Sequence, residues 1–551
     1  MAQETKESQS ESEAFPSLTD GQIERVRRFS TERSLRDGES LWEAGDRNRP
    51  LYIVLEGEIE ILSGANQVVT VHRPGAFTGD VDLLSGRPVV VRARAVSATR
   101  LLELPAPRLR ELIQNDAELS EIFLRAFMMR RAILMKQGGQ NVVVIGSRHC
   151  AGTLGLREFL TRNSMPYAYL DVEEDPSVEA TLERFSVGID DIPVLICRGT
   201  LVLRKPTIEE VARCLGMDEL RETDLRDLVI VGAGPAGLSA AVYAASEGLD
   251  VLVVEARSPG GQAGSSSRIE NYLGFPTGVT GQALASNAFV QAEKFGAEFS
   301  VARTAVRLTC DRPYRVDLGA GTVVPARAII IASGVRYRKP DIPNLSSYEG
   351  VGVYYGATQM EANLCRGEEA IIVGGGNSAG QAAVFLSGVC SRVIVMVRGP
   401  GLAQSMSRYL IRRMEETPNV TLMTGTRIVG LEGTTRLERV IWRNGDGTTT
   451  TSDIGHVFLM TGADPNTSWL QGCVRTDEKG YVKTGSDLDA ATLAEAGWPF
   501  SRPPGLFETS RPGVFAIGDV RAGSVKRVAA AVGEGSVCVQ LVHKSLAESI
   551  A

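Results

Sequence analysis

Three patterns of hydrophobic and polar residues follow one another along this 551-residue chain. Short apolar runs with alternation of period two predict β-strands within residues 51–61 and 68–71, and a helical pattern follows at 118–136. Between residues 141 and 215, apolar strands alternate with helical stretches. Beyond residue 226, runs rich in Val and Ile end in glycines and continue as helices, which is typical of buried parallel strands. The patterning therefore predicts a multidomain α/β protein.

Charge and hydropathy exclude several classes of protein. The 59 Lys and Arg residues are outnumbered by 66 Asp and Glu residues, so no global positive field would attract nucleic acid. No apolar run reaches the about 18 residues of a membrane span, and the N-terminus lacks a charged-then-apolar signal pattern. We therefore expect a soluble, cytoplasmic protein that binds neither nucleic acid nor membrane, with a disordered tail over residues 1–17.

The eight cysteines are scattered, and no two of them form a C-x-x-C pair. With four histidines in the chain, they also match none of the common zinc-ligand spacings. We expect no metal site, and we expect most of the cysteines to be reduced residues of hydrophobic cores.

A strand, a glycine-rich turn and a helix begin at residue 228. Gly232 permits a tight turn, Gly234 lets the backbone approach a pyrophosphate, and Gly237 allows the helix to pack closely on the strand. The next strand ends in Glu255, where the ribose of a dinucleotide expects a carboxylate. Because strand, glycines, helix and acid agree, the segment predicts a dinucleotide-binding fold.

A second turn of the same kind follows later in the chain. Gly374, Gly376 and Ala379 occupy its three special positions. The next strand ends in Arg398 instead of Asp or Glu, and a cation there tolerates the 2′-phosphate of NADPH. We therefore expect NADPH in preference to NADH. Arg408 either supplies a second positive charge for this phosphate or faces solvent.

Four further motifs accompany the two turns. They are Gly-Gly-Gln at 260–262, Glu-Asn-Tyr-Leu-Gly-Phe-Pro at 270–276, Ile-Ala-Ser-Gly at 331–334 and Gly-Asp at 518–519. In this order they resemble low-molecular-weight thioredoxin reductase-type flavoproteins. The resemblance implies a two-domain Rossmann-type fold in which an NADPH-binding domain interrupts an FAD-binding domain, with FAD and NADPH as cofactors.

The resemblance also assigns residues to the cofactors. The expected cofactor-binding residues are Gly232, Gly234, Pro235, Ala236, Gly237, Glu255, Ala256, Gly261, Gln262, Asn271, Ala332, Ser333, Gly334, Gly374, Gly376, Asn377, Ser378, Ala379, Arg398, Arg408, Gly518, Asp519, Lys526, Arg527 and Val528. Among these, Lys526 and Arg527 precede the helix that in this family starts under the flavin. They either add positive potential there or are solvated surface residues.

One departure from the family concerns its redox-active dithiol. Thioredoxin reductases carry Cys-Ala-Thr-Cys where this chain reads Gly-Ala-Thr-Gln at 356–359. Ala236 also stands where bacillithiol-disulfide reductase-like relatives have a cysteine. Without these thiols the flavin cannot reduce a disulfide through the usual relay. The chain then resembles the ferredoxin/flavodoxin–NADP reductases of this fold, which implies an external electron acceptor.

In the N-terminal part, residues 77–88 resemble the phosphate-binding cassette of cyclic nucleotide-binding domains. Gly79 matches the family glycine, and Asp80 shortens the acid that follows it by one methylene. Val89 and Val90 stand where the family has the Arg-Ser pair that binds the cyclic phosphate. Two valines cannot replace a guanidinium.

Arg87 or Arg92 could bind the phosphate from a neighbouring position in place of the missing arginine. The alternative is that both are solvated surface residues. We expect no tight binding of cyclic AMP or GMP. The domain would then serve docking or dimerisation, or bind a different ligand. The helix after the roll pairs subunits in that family, and thioredoxin reductases are usually dimers, so the resemblance implies a homodimer.

Residues 142–215 resemble a small thioredoxin/glutaredoxin domain. Cys150 matches the first active-site cysteine, Thr153 replaces the second, and Pro193 stands where that family has a cis-proline. A dithiol cycle within this domain is therefore excluded. Cys150 either acts as a single thiol at a helix N-terminus, which lowers a thiol pKa, or is an inert loop residue.

The expected domains are a cyclic nucleotide-binding-like β-roll at 18–136, a thioredoxin-like α/β domain at 140–218, an FAD-binding domain at 226–342 and 465–551, and an NADPH-binding domain at 343–464. We expect an NADPH-dependent FAD oxidoreductase that passes electrons to an external protein or small molecule. The alternatives are a flavin-bearing sensor or scaffold with little turnover, and a thiol reductase that works through Cys150.

Overall fold

The computed structural model describes residues 13–63, 67–137, 141–175, 178–185, 187–198, 201–218, 220 and 224–548. Most of the expected N-terminal tail therefore lies outside the described residues. Within the described part of the chain, none of the helices is both long and apolar enough to span a membrane.

The N-terminal elements form a roll of antiparallel strands closed by helices. The strands are β1 (Thr31–Leu35), β2 (Ser40–Trp42), β3 (Leu51–Glu56), β4 (Ile59–Leu62), β5 (Val68–His72), β6 (Arg92–Ala95) and β7 (Thr99–Leu104). The helices are α1 (Asp20–Arg27), α2 (Asp82–Ser85), α3 (Ala106–Asn115) and α4 (Ala117–Gln137). One sheet has the order β1-β7-β3 and another the order β2-β6-β4-β5. Phe123 and Phe127 of α4 pack on Leu51 and Phe77, so burial of these apolar side chains holds the long helix on the roll.

The second unit is a small α/β fold. Its elements are β8 (Val142–Gly146), α5 (Ala151–Arg162), β9 (Ala168–Asp171), α6 (Val178–Arg184), β10 (Val194–Cys197), β11 (Leu201–Arg204) and α7 (Ile208–Leu215). The strand order is β11-β10-β8-β9, with β8 and β9 parallel and the other neighbours antiparallel. The Ile192–Pro193 peptide bond is cis, as the sequence predicts.

The third unit starts with the first glycine turn. Its elements are β12 (Arg226–Val231), α8 (Pro235–Ser246), β13 (Val251–Glu255), α9 (Gly281–Phe295), β14 (Glu298–Val301), β15 (Arg307–Thr309), β16 (Tyr314–Asp317) and β17 (Val323–Ile331). The sheet order is β14-β13-β12-β17-β16-β15. The central strands β13, β12 and β17 are parallel and almost fully buried, because helices cover one face of the sheet and a second apolar cluster covers the other.

A second parallel sheet follows in the chain. Its elements, with two accessory β-structures, are β18 (Val335–Tyr337), β19 (Val353–Tyr354), α10 (Gln359–Leu364), β20 (Glu369–Val373), α11 (Asn377–Ser387), β21 (Arg392–Val397), α12 (Arg408–Glu415), β22 (Val420–Thr424), β23 (Arg427–Glu432), β24 (Arg439–Arg443), β25 (Thr449–Ser452), β26 (Val457–Leu459) and β27 (Ala463–Pro465). The parallel sheet has the order β19-β26-β20-β21-β22. The antiparallel pair β18 and β27 carries the chain between the two sheets.

The last elements return to the first of these sheets. They are α13 (Ala490–Ala496), β28 (Val514–Ala516) and α14 (Val528–Glu548). β28 lies parallel beside β17. α14 packs so closely on α8 that a methyl group on Gly535 would lie 2.5 Å from the carbonyl oxygen of Ala236. The two ends of this half of the chain therefore share one core.

The structure pairs several of the cysteines. Cys197 is joined to Cys214, and Cys310 to Cys473, by disulfide bonds. The expectation of mostly reduced cysteines is therefore wrong for these four. Spacing along the chain could not show this, because the second pair is 163 residues apart and is brought together by the fold.

Candidate active site

The first glycine turn lies between β12 and α8. Gly232 has a φ of 108°, and a methyl group on it would lie 2.3 Å from the carbonyl oxygen of Ala332, so glycine is required. A methyl group on Gly237 would lie 1.9 Å from the carbonyl oxygen of Gly232. Around Gly234 the space is open, since an added methyl group would meet only the Cα atom of Gly261, at 4.0 Å. The start of α8 therefore offers free N–H groups to a space that fits a pyrophosphate.

The carboxylate of Glu255 supports this turn. Its Oε2 atom accepts a hydrogen bond from the N–H of Ala233 at 2.7 Å. Its Oε1 atom accepts from the N–H groups of Arg257 and Ser258, at 2.9 and 3.2 Å. Glu255 is nearly buried, whereas the following Ala256 is exposed. The acid is therefore fixed at the edge of the turn, where a ribose would meet it.

The loop after β13 folds back onto the turn. Gly260 donates from its N–H to the carbonyl oxygen of Ala233 at 2.7 Å. Gln262 donates from Nε2 to the carbonyl oxygen of Val335 at 2.6 Å, which ties the loop to the end of the neighbouring strand. Asn271 lies further along, in an exposed stretch. The structure therefore places Gln262 against the turn and Asn271 on the surface.

The segment after β17 reaches the same place. Ala332 donates from its N–H to the carbonyl oxygen of Val231 at 2.8 Å. Ser333 and Asn466 exchange hydrogen bonds, from Oγ to the Asn466 carbonyl at 2.7 Å and from Nδ2 to the Ser333 carbonyl at 2.9 Å. A methyl group on the neighbouring Gly334 would meet no atom within 4 Å. The strand end therefore borders open space beside the turn.

The C-terminal Gly-Asp motif completes this group of loops. A methyl group on Gly518 would lie 2.9 Å from the Cβ atom of Ala236, so the motif contacts the first turn of α8. The Glu534 carboxylate accepts from the N–H of Gly518 at 2.6 Å and pairs with Arg521 at 2.6 Å. Pro235 is the first residue of α8. Residues from both ends of the chain beyond residue 226 thus meet at one site.

Asp519, the acid of this motif, is half-buried. Burial raises the pKa of its carboxyl group above the usual value. Lys526 donates from Nζ to the carbonyl oxygen of Asp519 at 2.9 Å and lies 4.7 Å from the ring centroid of Tyr481. Burial lowers the pKa of Lys526. Arg527 is exposed and Val528 begins α14. Lys526 therefore adds positive charge near the motif, whereas Arg527 faces solvent.

The second glycine turn lies between β20 and α11. A methyl group on Gly374 would lie 2.4 Å from the carbonyl oxygen of Met460, whereas one on Gly376 would meet nothing within 4 Å. Ala379 is fully buried in the third special position. This turn therefore repeats the first one, with a close approach at one glycine and open space at the next.

A loop before α12 is tied to the second turn. Asn377 Oδ1 accepts from the N–H of Ser407 at 2.7 Å, and Ser405 donates from Oγ to the carbonyl oxygen of Gly375 at 2.6 Å. Ser378 is exposed in the first turn of α11. Asn377 is thus held by the protein, and Ser378 faces the open side.

Two arginines flank this turn. Arg398 follows the last residue of β21, and Arg408 is the first residue of α12. Both are exposed, and neither makes a hydrogen bond or ion pair with the part of the chain that the structure describes. Both guanidinium groups therefore remain free for a phosphate.

Residues 356–359 end in the start of α10. Thr358 caps this helix: its Oγ1 accepts from the N–H of Met360 at 3.2 Å, and its own N–H donates to Glu361 at 2.8 Å. Gln359 donates from Nε2 to Asn363 Oδ1 at 3.2 Å. Gln359, which stands where thioredoxin reductase-type sequences have their second cysteine, is therefore the first residue of a helix capped by Thr358.

A cavity lies beside that cap. Its volume is about 1070 Å³, and it is enclosed by α5, the loop around Ser265 and the start of α10. Within the described chain, none of the residues that line it is a cysteine. Among its lining residues are Arg157, Arg162, Ser265, Gln282, Thr358 and Gln359.

Cys150 is a half-buried free thiol at the N-cap of α5. A methyl group on Gly152 would lie 3.1 Å from Pro193 and 3.8 Å from the Cys150 sulfur, so the cysteine and the cis-proline are close. Thr153 is fully buried, and its Oγ1 has no hydrogen-bond partner in the described chain. His149 lines the cavity, whereas Cys150 does not. The structure therefore does not bring the thiol into the cavity.

Arg162 also belongs to this site, although no sequence motif contains it. This residue ends α5 and donates from Nη2 to the carbonyl oxygen of Gly261 at 2.5 Å. Gln282 of α9 holds it by donating from Nε2 to the Arg162 carbonyl at 3.1 Å. No local signal could have identified Arg162, because its contact spans 99 residues and crosses between units.

In the cassette of the β-roll, the carboxylate of Asp80 already forms salt bridges with two arginines. Asp80 pairs with Arg49 at 3.3 Å and with Arg131 at 2.8 Å, and all three side chains are buried. Val89 is 2% exposed and belongs to the roll core. Arg87 lies over the ring of Phe289 in α9 instead of reaching into the roll. The arrangement leaves no complete clamp for a cyclic phosphate.

Comparisons with known proteins agree with this arrangement. Residues 226–535 match the family described as pyridine nucleotide-disulphide oxidoreductase, and residues 32–116 match the cyclic nucleotide-binding domain. A thioredoxin reductase of Bacillus subtilis (strain 168) is 30% identical over 334 residues, which are 60% of this chain and 97% of the relative. The crystal structure of a Lactococcus lactis thioredoxin reductase aligns with a TM-score of 0.52 at 27% identity, covering 59% of this chain and 99% of that one. A thioredoxin reductase structure from T. acidophilum aligns with a TM-score of 0.52 at 27% identity, covering 60% and 100%.

The chain therefore belongs to the pyridine nucleotide-disulphide oxidoreductase family. It is an NAD(P)H-dependent FAD oxidoreductase with a thioredoxin reductase-like fold and an N-terminal cyclic nucleotide-binding-like domain. FAD and NADPH are its cofactors. The comparisons confirm the predicted fold class, enzyme class and cofactors.

Proposed function

We propose that the protein oxidises NADPH and passes the electrons from FAD to an acceptor without an internal dithiol. The observation that carries this proposal is the cavity beside α10, where Gln359 stands in place of the second cysteine of the dithiol and no lining residue in the described chain is a cysteine. The acceptor is an external protein or a small molecule that enters this cavity.

The flavin, when bound, accepts a hydride from the nicotinamide and releases its electrons to the acceptor. Gly232 and Gly234 leave room for the pyrophosphate, and Glu255 and Asp519 hold the ribose and ribityl hydroxyls. The open backbone at Gly334 borders the same space.

For the nicotinamide nucleotide, the open turn at Gly376 receives the pyrophosphate. Arg398 and Arg408, both free of protein partners in the described chain, bind the 2′-phosphate and select NADPH over NADH. The protein thereby supplies position and charge. No side chain is needed to transfer a proton in this step.

The unit at 140–218 has the strand order of a thioredoxin-like domain, and we assign it that role in the proposed division of the chain. Thr153 is buried and cannot resolve a mixed disulfide at Cys150. The domain therefore acts as a wall of the cavity and not as a dithiol carrier. We further propose a cytoplasmic homodimer in which the β-roll serves regulation.

Anaerobic addition of NADPH to the FAD-loaded protein tests the proposal. We expect rapid bleaching of the flavin, followed by reoxidation with one member of a panel of ferredoxin, flavodoxin, quinones and dioxygen. Thioredoxin with a disulfide dye should give no turnover. Robust thioredoxin reduction would refute the dithiol argument, and no bleaching at all would support the scaffold alternative.

The thiol route is tested with Cys150→Ser. We expect this variant to keep the wild-type rate with the best acceptor. Ser147→Ala is the matched control, because it changes a hydroxyl in the same loop, where Ser147 bonds to Glu173. A loss of turnover in Cys150→Ser alone would overturn the external-acceptor proposal in favour of the thiol.

A further inference from the structure

A second cavity lies where three parts of the chain meet. Its volume is about 350 Å³, at the lower end of the range for small-molecule sites. It is bounded by α2 and α4 of the β-roll, by the end of α5, and by α9 of the FAD-binding half. The apolar part of its wall includes Met128, Met135, Met165, Phe289 and Val290. Methionine side chains adapt to ligands of different shape.

One carboxyl group in this wall has no partner. Glu293 of α9 is 4% exposed, and its side chain makes no hydrogen bond or ion pair with any residue that the structure describes. Burial raises its pKa to about 8, so the group is protonated at neutral pH. It therefore offers a hydrogen-bond donor to the cavity and carries no charge there.

One cation in the wall, Arg87, has no salt bridge in the described chain. Arg87 is half-buried, and its guanidinium carbon lies 4.9 Å from the ring centroid of Phe289, although it interacts electrostatically with the carboxyl groups of Glu293 and Asp82. Arg131 differs, because Asp80 and Asp82 neutralise it. The cavity therefore combines an apolar wall with one unbalanced positive charge and one neutral donor. Such a wall favours a ligand with a single negative charge.

We propose that this cavity binds a small apolar carboxylic acid, aromatic or of medium chain length, as its anion. The carboxylate pairs with Arg87 and accepts a hydrogen bond from the protonated Glu293, while the apolar body packs on the methionines and Phe289. A cyclic nucleotide does not fit these groups, because its phosphate and ribose expect the clamp that Asp80 and Val89 no longer provide.

The cavity is also connected to the flavin loop. Arg162 lines it, and the same side chain donates to the carbonyl oxygen of Gly261. Ser164 lies two residues further on and contacts Ser286 of α9 at 3.4 Å, between side-chain oxygens. An acid bound in the cavity would therefore bias the position of the loop that the proposed function places beside the flavin.

Titration calorimetry of the full-length, FAD-loaded protein with 2-naphthoate and octanoate tests the binding step without any turnover. We expect a dissociation constant of about 10 to 100 µM for at least one of them. The uncharged 2-naphthamide should bind about tenfold more weakly, because it lacks the charge that Arg87 recognises. No binding of either acid, or equal binding of the amide, would overturn the proposal.

Two variants locate the site. Arg87→Gln should weaken binding about tenfold, whereas Glu293→Gln should change it by less than about threefold, because the amide donates the same hydrogen bond. Arg108→Gln is the matched control: Arg108 also lies over a phenylalanine ring, 5.4 Å from Phe29, but outside the cavity. Equal binding by wild type and Arg87→Gln would refute the site.

The link to the flavin needs a separate measurement, since it rests on the proposed function. The visible spectrum of the oxidised flavin should shift when the acid binds to wild type and stay unchanged in Arg87→Gln. Binding without a spectral shift would remove the link and keep the site. Absence of NADPH oxidation would refute the proposed function while leaving the calorimetric result intact.

Discussion

Arg162 donates a hydrogen bond from Nη2 to the carbonyl oxygen of Gly261 across 2.5 Å. The donor ends α5 in the small α/β unit that follows the β-roll, and the acceptor belongs to the loop that packs on the first glycine turn. Because Gln282 holds the carbonyl of Arg162 in turn, the contact is fixed from both sides. The middle unit therefore forms part of the wall of the flavin site that the proposed function assigns to this turn.

Replacing Arg162 by glutamine should leave FAD bound and slow its reduction by NADPH about tenfold, because a small misplacement of reacting groups is costly. Stopped-flow absorbance of the flavin under anaerobic conditions measures this rate, and the shape of the flavin spectrum should change as well. Arg157→Gln is the control, since Arg157 lies on the same helix but over Tyr169, at 3.9 Å. Equal slowing in both variants would mean that the effect comes from the helix and not from the contact with Gly261.

Substitutions of the second and third glycines of the first turn should have different effects. Gly237→Ala should lower the melting temperature of the apoprotein, because its methyl group would lie 1.9 Å from a carbonyl oxygen and overpacking costs about 1 to 3 kcal/mol. Gly234→Ala should change the melting temperature by less than about 2 °C yet reduce the FAD content, since its methyl group enters the open space. Full FAD occupancy in Gly234→Ala would show that the cofactor lies elsewhere.

Cofactor selection should depend on the free arginines. Arg398→Glu should raise the KM for NADPH about tenfold and leave that for NADH within about twofold, because only NADPH carries the 2′-phosphate. Arg412→Glu controls for added charge, since Arg412 is exposed on α12 and pairs with Glu416 at 2.8 Å. If Arg408→Glu has the larger effect, the second arginine supplies the phosphate contact. An unchanged ratio of the two KM values in both variants would refute the assignment.

Restoring the missing dithiol should create an activity. The double variant Gly356→Cys with Gln359→Cys should reduce a disulfide dye with NADPH at a rate at least about tenfold above wild type. Gly356 can be replaced, because an added methyl group would meet no atom within 4 Å. The single variant Gln359→Cys is the control and should gain nothing, since a disulfide cycle needs both thiols. Equal dye reduction by wild type would show that electrons already reach disulfides by another route.

Glu293 should make stability depend on pH. Its folded pKa of about 8 lies above the ordinary 4.5, so the contribution of its neutral form to stability is complete below pH 4.5 and is lost as pH rises through 8. Glu293→Gln should therefore raise the melting temperature relative to wild type by about 2 to 4 °C near pH 8.5, and by less near pH 5. The charged groups that interact with this carboxyl are Arg87, Asp82, Arg110 and Arg131. Glu111→Gln, on the exposed side of α3, should show no such pH dependence.

The strand, turn and helix segments could be predicted from the sequence because their causes are local. A buried apolar run followed by glycines at fixed spacing is compatible with few structures other than a strand, a tight turn and a helix. At Gly232 and Gly374 a side chain would collide with a backbone carbonyl oxygen, so glycine is required. The helix starting at Val528 and the cis bond before Pro193 follow family motifs of equally short range.

The long-range contacts could not be predicted, because residues distant in sequence form them. From the sequence, Asp80 is predicted to be a ligand-binding acid. Only the fold shows that Arg49 and Arg131 form salt bridges with its carboxylate. Glu293 did leave a signal, since it is a charged residue beside Ala292 on the buried face of α9. The sequence of α9 alone cannot show, however, that Glu293 faces a cavity.

The position of β28 beside β17 has a consequence for synthesis of the protein. The strand at Val514–Ala516 extends a sheet begun nearly 300 residues earlier, and α14 then covers α8. Until the ribosome has released this last segment, the edge of β17 and the apolar face of α8 are unprotected, and exposed edges of this kind pair with other chains. Folding of the flavin half is therefore expected to finish after translation, and nascent chains arrested before residue 514 should require a chaperone to stay unaggregated.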